Sequence, residues 1–87
     1  MEIHFYAPFF MLTGTRKTQW ELETDSVGAE EFLAMLLERW PQLERHLGAP
    51  GDAGRRLTIL VDGEILGPVD RIPNSSTVRI LGPVSGG

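Results

Sequence analysis

Apolar residues alternate with polar ones toward both ends of this chain, and they repeat at helical spacing in a single stretch, from Ala29 to Trp40. There Ala29, Phe32, Leu33, Leu36, Leu37 and Trp40 follow the i, i+3, i+4, i+7, i+8, i+11 pattern of one helix face. Glu30, Glu31, Glu38 and Arg39 fall elsewhere on the wheel. A lone amphipathic helix cannot bury its stripe by itself and must lie on a sheet. Asp25 or Ser26 offers a side-chain oxygen to the free amides of its first turn. Pro41 ends or interrupts it, because proline removes a donor and clashes with the preceding turn. Leu43 and Leu47 fit a further short turn.

The flanking segments read as strands. In residues 2–8, Ile3, Phe5 and Ala7 share one face while His4 and Tyr6 share the other, and Pro8 suits a strand end. A second strand is expected over Lys17–Glu23, with Trp20 and Leu22 inward and Gln19, Glu21 and Glu23 outward; Gly14 lies in the connection, giving a hairpin. Residues 48–54, rich in Gly, read as a surface loop. Leu57–Val61 is the next strand, followed by Asp62-Gly63, the pair that a type I′ turn favours because both residues take positive φ. Glu64–Leu66 returns, Gly67–Ser76 reads as loop, and Thr77–Leu81 is the last strand, with Val78 and Ile80 on one face and Thr77, Arg79 and Leu81 on the other. The expected order is β-β-α-β-β-β. It defines an α+β roll in which one main helix packs on one face of a mixed sheet, as a single domain over residues 1–81 with a flexible tail at 82–87.

Composition narrows the function. A chain of 87 residues buries roughly 60% of its unfolded surface, enough for one core. With no cysteine it has no disulfide, thiolate metal site or cysteine nucleophile, which fits a cytoplasmic protein. No apolar run nears the roughly 20 residues of a membrane helix, and no secretory leader is expected at the start. Twelve acidic against eight basic residues leave a net charge of −4, the wrong sign for neutralising nucleic-acid phosphates. Glu21, Glu23, Asp25, Glu30, Glu31, Glu38 and Glu44 face a single Arg39 across their stretch, either as a solvated helix face or as a partner-binding surface. His4 and His46 have no metal-ligand spacing, so no metal site is expected, and no nucleophile elbow, phosphate loop or zinc-protease motif is present.

The sequence ends Gly82-Pro83-Val84-Ser85-Gly86-Gly87. Two glycines at these positions arise by chance about 0.5% of the time. One reading is a frayed tail. The other is chemical, since a C-terminal carboxylate on residues without side chains can be threaded through a narrow channel into another protein's active site. Pro83 stiffens the base of such a tail.

Together these features resemble the ubiquitin-like sulfur carriers of the MoaD/ThiS group, most nearly the small subunit of molybdopterin synthase. The resemblance covers the whole chain. It is carried by Ile3-His4-Phe5-Tyr6-Ala7, the Leu12-Thr13-Gly14 turn, Val27, the Phe32/Leu33/Leu36 helix and Trp40-Pro41-Gln42-Leu43. It continues through Val61-Asp62-Gly63-Glu64 and Val78-Arg79-Ile80-Leu81 into the terminal Gly86-Gly87. Two departures stand out. Phe9-Phe10-Met11 replaces a charged residue common in that loop, with two of the three expected in the core, and Gly82 replaces the first proline of a Pro-Pro pair.

The resemblance implies a ubiquitin-like β-grasp roll and a protein-borne sulfur donor. An E1-like adenylyltransferase using ATP would activate the Gly87 carboxylate, and a sulfur donor protein would convert it to a thiocarboxylate. Gly86, Ser85, Val84 and Pro83 would form the tail that delivers it to the molybdopterin synthase large subunit, which holds the catalytic side chains and receives the sulfur on cyclic pyranopterin monophosphate. The small subunit would bind no cofactor of its own. Alternation sends Tyr6 and Leu81 outward, and the resemblance makes Tyr6, Ile65 and Leu81 the contacts with the large subunit; otherwise they are scattered surface hydrophobes. Chain length and residues 41–56 favour the molybdopterin branch. A related carrier or protein modifier, serving thiamine, cysteine or tRNA thiolation or conjugation to lysines, is the second reading, and a non-catalytic interaction domain the third.

Overall fold

The computed structural model describes residues 1–47, 57–67 and 69–82. Strand β1 (Glu2–Phe5) leads into a short helix α1 (Phe9–Thr13) and then strand β2 (Lys17–Gln19). Strand β3 (Ser26–Gly28) runs directly into helix α2 (Ala29–Arg39), a 3-10 turn (Pro41–Leu43) and helix α3 (Glu44–Leu47). Strands β4 (Thr58–Val61), β5 (Glu64–Ile65), β6 (Arg71–Pro73) and β7 (Thr77–Leu81) follow.

Five strands form one sheet in the order β2-β1-β7-β4-β5. At its centre β1 and β7 run parallel, Glu2 opposite Thr77 and Phe5 opposite Ile80, while the other pairings are antiparallel, so the sheet is mixed as expected. Its inner face contributes Ile3, Phe5, Ile59, Val78 and Ile80 to the core, and α2 adds Phe32, Leu33 and Leu36. Period-2 and period-3.6 patterns thus meet across one apolar layer. Trp40, the C-cap of α2, packs edge-on against Phe5 at 5.0 Å between ring centroids and stacks on Trp20 at 5.9 Å.

Several elements depart from the sequence reading. The connection after β1 is helical. Phe9 is fully buried, Phe10 packs against the core with the Arg16 guanidinium 4.2 Å above its ring, and Met11 is 67% exposed, so two of the three join the core. Gly14 closes this helix at φ 77°, a conformation that glycine adopts without steric cost.

The second strand ends at Gln19 rather than Glu23. Beyond Trp20 the Leu22 amide leaves the ladder and donates to Asn74 Oδ1 at 3.1 Å, although Trp20 and Leu22 still pack inward. Neither Asp25 nor Ser26 caps α2. Ser26–Gly28 forms a second, two-stranded sheet with β6, inside the segment read as loop, and the Ser26 hydroxyl accepts from Arg71 Nε at 2.9 Å. Gly28 is the N-cap, and the Ala29 amide donates to the Asp70 carbonyl at 3.0 Å. A backbone acceptor from the far end of the chain therefore does what the sequence assigned to a local side chain.

The Asp62-Gly63 turn has φ of 50° and 90°, as a type I′ turn requires, and sets Leu60 opposite Ile65. The loop expected at 48–54 and the tail expected from 83 to 87 lie outside the described residues.

Leu36 is fully buried where α2 meets the sheet. Leu36→Ala is expected to cost about 2–5 kcal/mol in urea unfolding, through lost transfer energy and the cavity left behind. Met11→Ala, at an exposed position, should stay within about 0.5 kcal/mol of the parent.

Candidate functional site

The face of the large sheet turned away from α2 is built by alternation. Ile3, Phe5, Ile59, Val78 and Ile80 point inward, so Glu2, His4, Thr58, Leu60, Thr77, Arg79 and Leu81 point outward. Tyr6 extends the β1–β7 ladder by one bond, donating from its amide to the Ile80 carbonyl at 3.0 Å, which sets it beside Leu81. Its own carbonyl then accepts the amides of Phe9 and Phe10, turning the chain into α1.

Tyr6 is 42% exposed, Ile65 is 69% exposed and Leu81 is half-buried. Tyr6 and Leu81 are neighbours, but Ile65 stands two strands from β7. Leu60 on β4 joins them. It lies directly opposite Ile65 and diagonally from Leu81, within the 7–8 Å at which same-face residues still interact. The sequence reading did not single out Leu60. The signal was available in the Asp62-Gly63 turn, whose two-residue loop fixes Leu60 opposite Ile65.

Polar groups complete this face. Glu2 Oε1 contacts Lys17 Nζ at 3.1 Å and His4 Nε2 at 2.9 Å. The hydrogen bond from Lys17, then that from His4, lowers the Glu2 carboxyl below its usual range. At the β4–β5 turn, Asp62 Oδ1 accepts the Thr77 amide at 2.9 Å, and that bond lowers its carboxyl as well. His46 meets the Phe9 ring edge-on at 5.2 Å. No group of three potential metal ligands is gathered among the described residues.

The residue that follows β7 also lies here. Gly82 follows Leu81 directly and sits beside the turn after β1, where an added Cβ would be 3.8 Å from the Ala7 carbonyl and 3.9 Å from Pro8 Cδ. Pro83, Val84, Ser85, Gly86 and Gly87 lie outside the described residues.

This topology decides the fold. The chain has the ubiquitin-like β-grasp fold. The crystal structure of SAMP1 from Haloferax volcanii matches it with a TM-score of 0.78 and 24% identity, covering 100% of this chain and 98% of that one. A candidate molybdopterin converting factor subunit 1 from Pyrococcus furiosus matches with a TM-score of 0.79 and 18% identity over 95% of each chain. The solution structure of small archaeal modifier protein 1 from Methanosarcina acetivorans matches with a TM-score of 0.70 and 24% identity, over 99% of this chain and 94% of that one. No family model matches the sequence, and no curated protein matches it. In this β-grasp protein, as in the expectation from sequence, one main helix covers one face of a mixed sheet and leaves the other face open. No helix among the described residues is long and apolar enough to cross a membrane.

Tyr6 and Ile65 are exposed, so their side chains contribute little to folding. Tyr6→Ala and Ile65→Ala are each expected to leave unfolding free energy within about 1 kcal/mol of the parent, checked by denaturant titration. Acid titration tests Asp62. With its carboxyl lowered in the fold, its stabilisation is present above the usual value of 3.8 and is lost as pH falls through the folded value. Asp62→Asn should therefore flatten the acid limb of the stability profile relative to the parent.

Proposed function

We propose that this chain is a ubiquitin-like sulfur carrier whose Gly87 carboxylate is adenylated, converted to a thiocarboxylate and used to donate sulfur in molybdopterin biosynthesis. The supporting observation is the junction at the end of β7. Leu81 belongs to the open apolar face, and the very next residue begins the tail. Docking that face on a partner fixes the tail's root, and five further residues reach at most roughly 17 Å when extended. The face positions; the tail delivers.

The chemistry follows from the group delivered. A carboxylate is a poor electrophile. Transfer of AMP from ATP to the Gly87 oxygen, with loss of pyrophosphate, creates an acyl-adenylate from which sulfide displaces AMP. The resulting thiocarboxylate is a nucleophile presented at high local concentration by an oriented tether. The reading assigns Tyr6, Leu60, Ile65 and Leu81 to the contact with the molybdopterin synthase large subunit, where an apolar cluster on an acidic protein makes an interface core. The catalytic side chains belong to that subunit.

A second reading keeps the same activated carboxyl and changes the acceptor. SAMP1 from two organisms shares this fold over nearly the full chain, which supports a protein modifier joined to lysine amines. Both readings require Gly87 to end the mature polypeptide, which intact mass establishes first.

Incubation with ATP, an E1-like adenylyltransferase and a sulfur donor protein should add about 16 Da to the intact chain, sulfur replacing oxygen at the activated carboxyl. With the large subunit and cyclic pyranopterin monophosphate, the product should be molybdopterin. Lysine-linked adducts ending in Gly87, without the mass gain, would instead favour the modifier. Deleting Gly87 retracts the carboxylate by about 3.5 Å and should abolish transfer. Equal activity from the shortened chain would overturn both readings. Tyr6→Ala combined with Leu81→Ala should weaken affinity for the large subunit at least about tenfold.

A further inference from the structure

The other end of the sheet carries a second surface. Strand β2 is an edge, two strands from β7 and three from β4. The Phe5 amide donates to the Arg16 carbonyl and the Trp20 amide to the Met1 carbonyl, so Arg16, Thr18 and Trp20 direct their backbone groups at β1. Lys17, Gln19 and Glu21 direct theirs off the edge. At Lys17 these are occupied, because the Thr15 hydroxyl donates to its carbonyl at 2.9 Å and accepts from its amide at 3.4 Å. The corresponding groups of Gln19 and Glu21 have no partner among the described residues. They are spaced i, i+2, the interval at which an added strand bonds.

Beside that open edge lies a groove of about 520 Å³ between β2 and α2, lined by Gln19, Trp20, Glu21, Met35, Glu38 and Arg39. Half-buried Trp20 and Met35 supply its apolar surface, and exposed Glu21 and Glu38 supply its acidic rim. The one cation of the lining, Arg39, lies 5.2 Å over the Trp40 ring.

We infer that this groove binds an extended segment of a partner protein as a further strand on β2, with an aliphatic side chain over Trp20 and Met35 and flanking Lys or Arg side chains against Glu21 and Glu38. Backbone bonds to Gln19 and Glu21 give affinity, and the alternating pocket and rim give sequence preference.

The test uses the full-length chain, labelled with nitrogen-15, and a capped synthetic peptide Lys-Val-Ile-Val-Lys-Arg, with Glu-Val-Ile-Val-Glu-Asp as its counterpart. Expected are saturable shifts confined to residues 17–22 and 32–39, slowed exchange of the Gln19 and Glu21 amides, and binding of the acidic peptide at least about tenfold weaker at low salt. Glu38→Lys, a surface change, should weaken the basic peptide about threefold or more, and Met35→Glu should remove binding; if Met35→Glu fails to fold, Glu38→Lys and amide exchange decide. The proposal is overturned by no saturable shift up to millimolar peptide, by shifts centred on Tyr6 and Leu81, or by equal binding of both peptides. Shifts over residues 17–22 on concentrating the protein alone would overturn it in favour of self-pairing.

Discussion

The parallel pairing of β1 with β7 is the contact on which this structure depends. It brings the first and last strands of an 87-residue chain together at the sheet's centre, with Glu2 opposite Thr77 and Phe5 opposite Ile80. Such non-local pairing pays its loop-closure entropy before any contact rewards it. It holds because Ile3, Phe5, Val78 and Ile80 all enter the core from these two strands. The same pairing makes neighbours of Tyr6 and Leu81, and it carries Gly82 to the corner after β1. Folding and the candidate site therefore share one constraint.

Aromatic packing extends that constraint to the sheet's edge. Trp40 contacts Phe5 on the central strand and stacks on Trp20 just beyond β2, while Trp20 also leans on Phe32 at 5.8 Å. The charged N-terminal amine donates to the Trp20 carbonyl at 2.9 Å and the Trp20 amide to the Met1 carbonyl, which ties the edge to the start of the chain. Stacked indoles and paired termini let a three-residue strand stand where longer pairing is absent, since large aromatic rings bury more apolar area per residue than any other side chain.

What the sequence disclosed was whatever is encoded by short-range periodicity or by a turn with a strict backbone requirement. The α2 stripe, the inward set of β1 and β7 and the Asp62-Gly63 turn belong to this class. What stayed hidden was set by partners far along the chain. Nothing near Gly28 says that its helix is met by the Asp70 carbonyl, or that Ser26 pairs with Pro73. The helical turn at Phe9–Thr13 was hidden because five residues are too few to display a period. At the candidate site, Tyr6 and Leu81 were legible from alternation, whereas joining Ile65 to them needed Leu60 and hence the strand order. Gly87 rested on chemistry and resemblance throughout.

The charges divide the molecule in a way that its net value of −4 conceals. The cations Lys17 and Arg79 stand on the outer face with Glu2, beside the apolar cluster of Leu60, Ile65 and Leu81. Glu21 and Glu38 line the groove between β2 and α2, and Glu30 and Glu31 occupy the first turn of that helix. Long-range electrostatics chiefly set encounter rate and orientation, and they penalise like-charged approaches. A partner with acidic groups around an apolar depression is therefore steered to the outer face and turned away from the helix side. A basic extended segment experiences the opposite bias. Among the described residues, a β-grasp sheet with one face covered by α2 thus keeps both its outer face and the β2 edge uncovered, and it does so without enlarging the core.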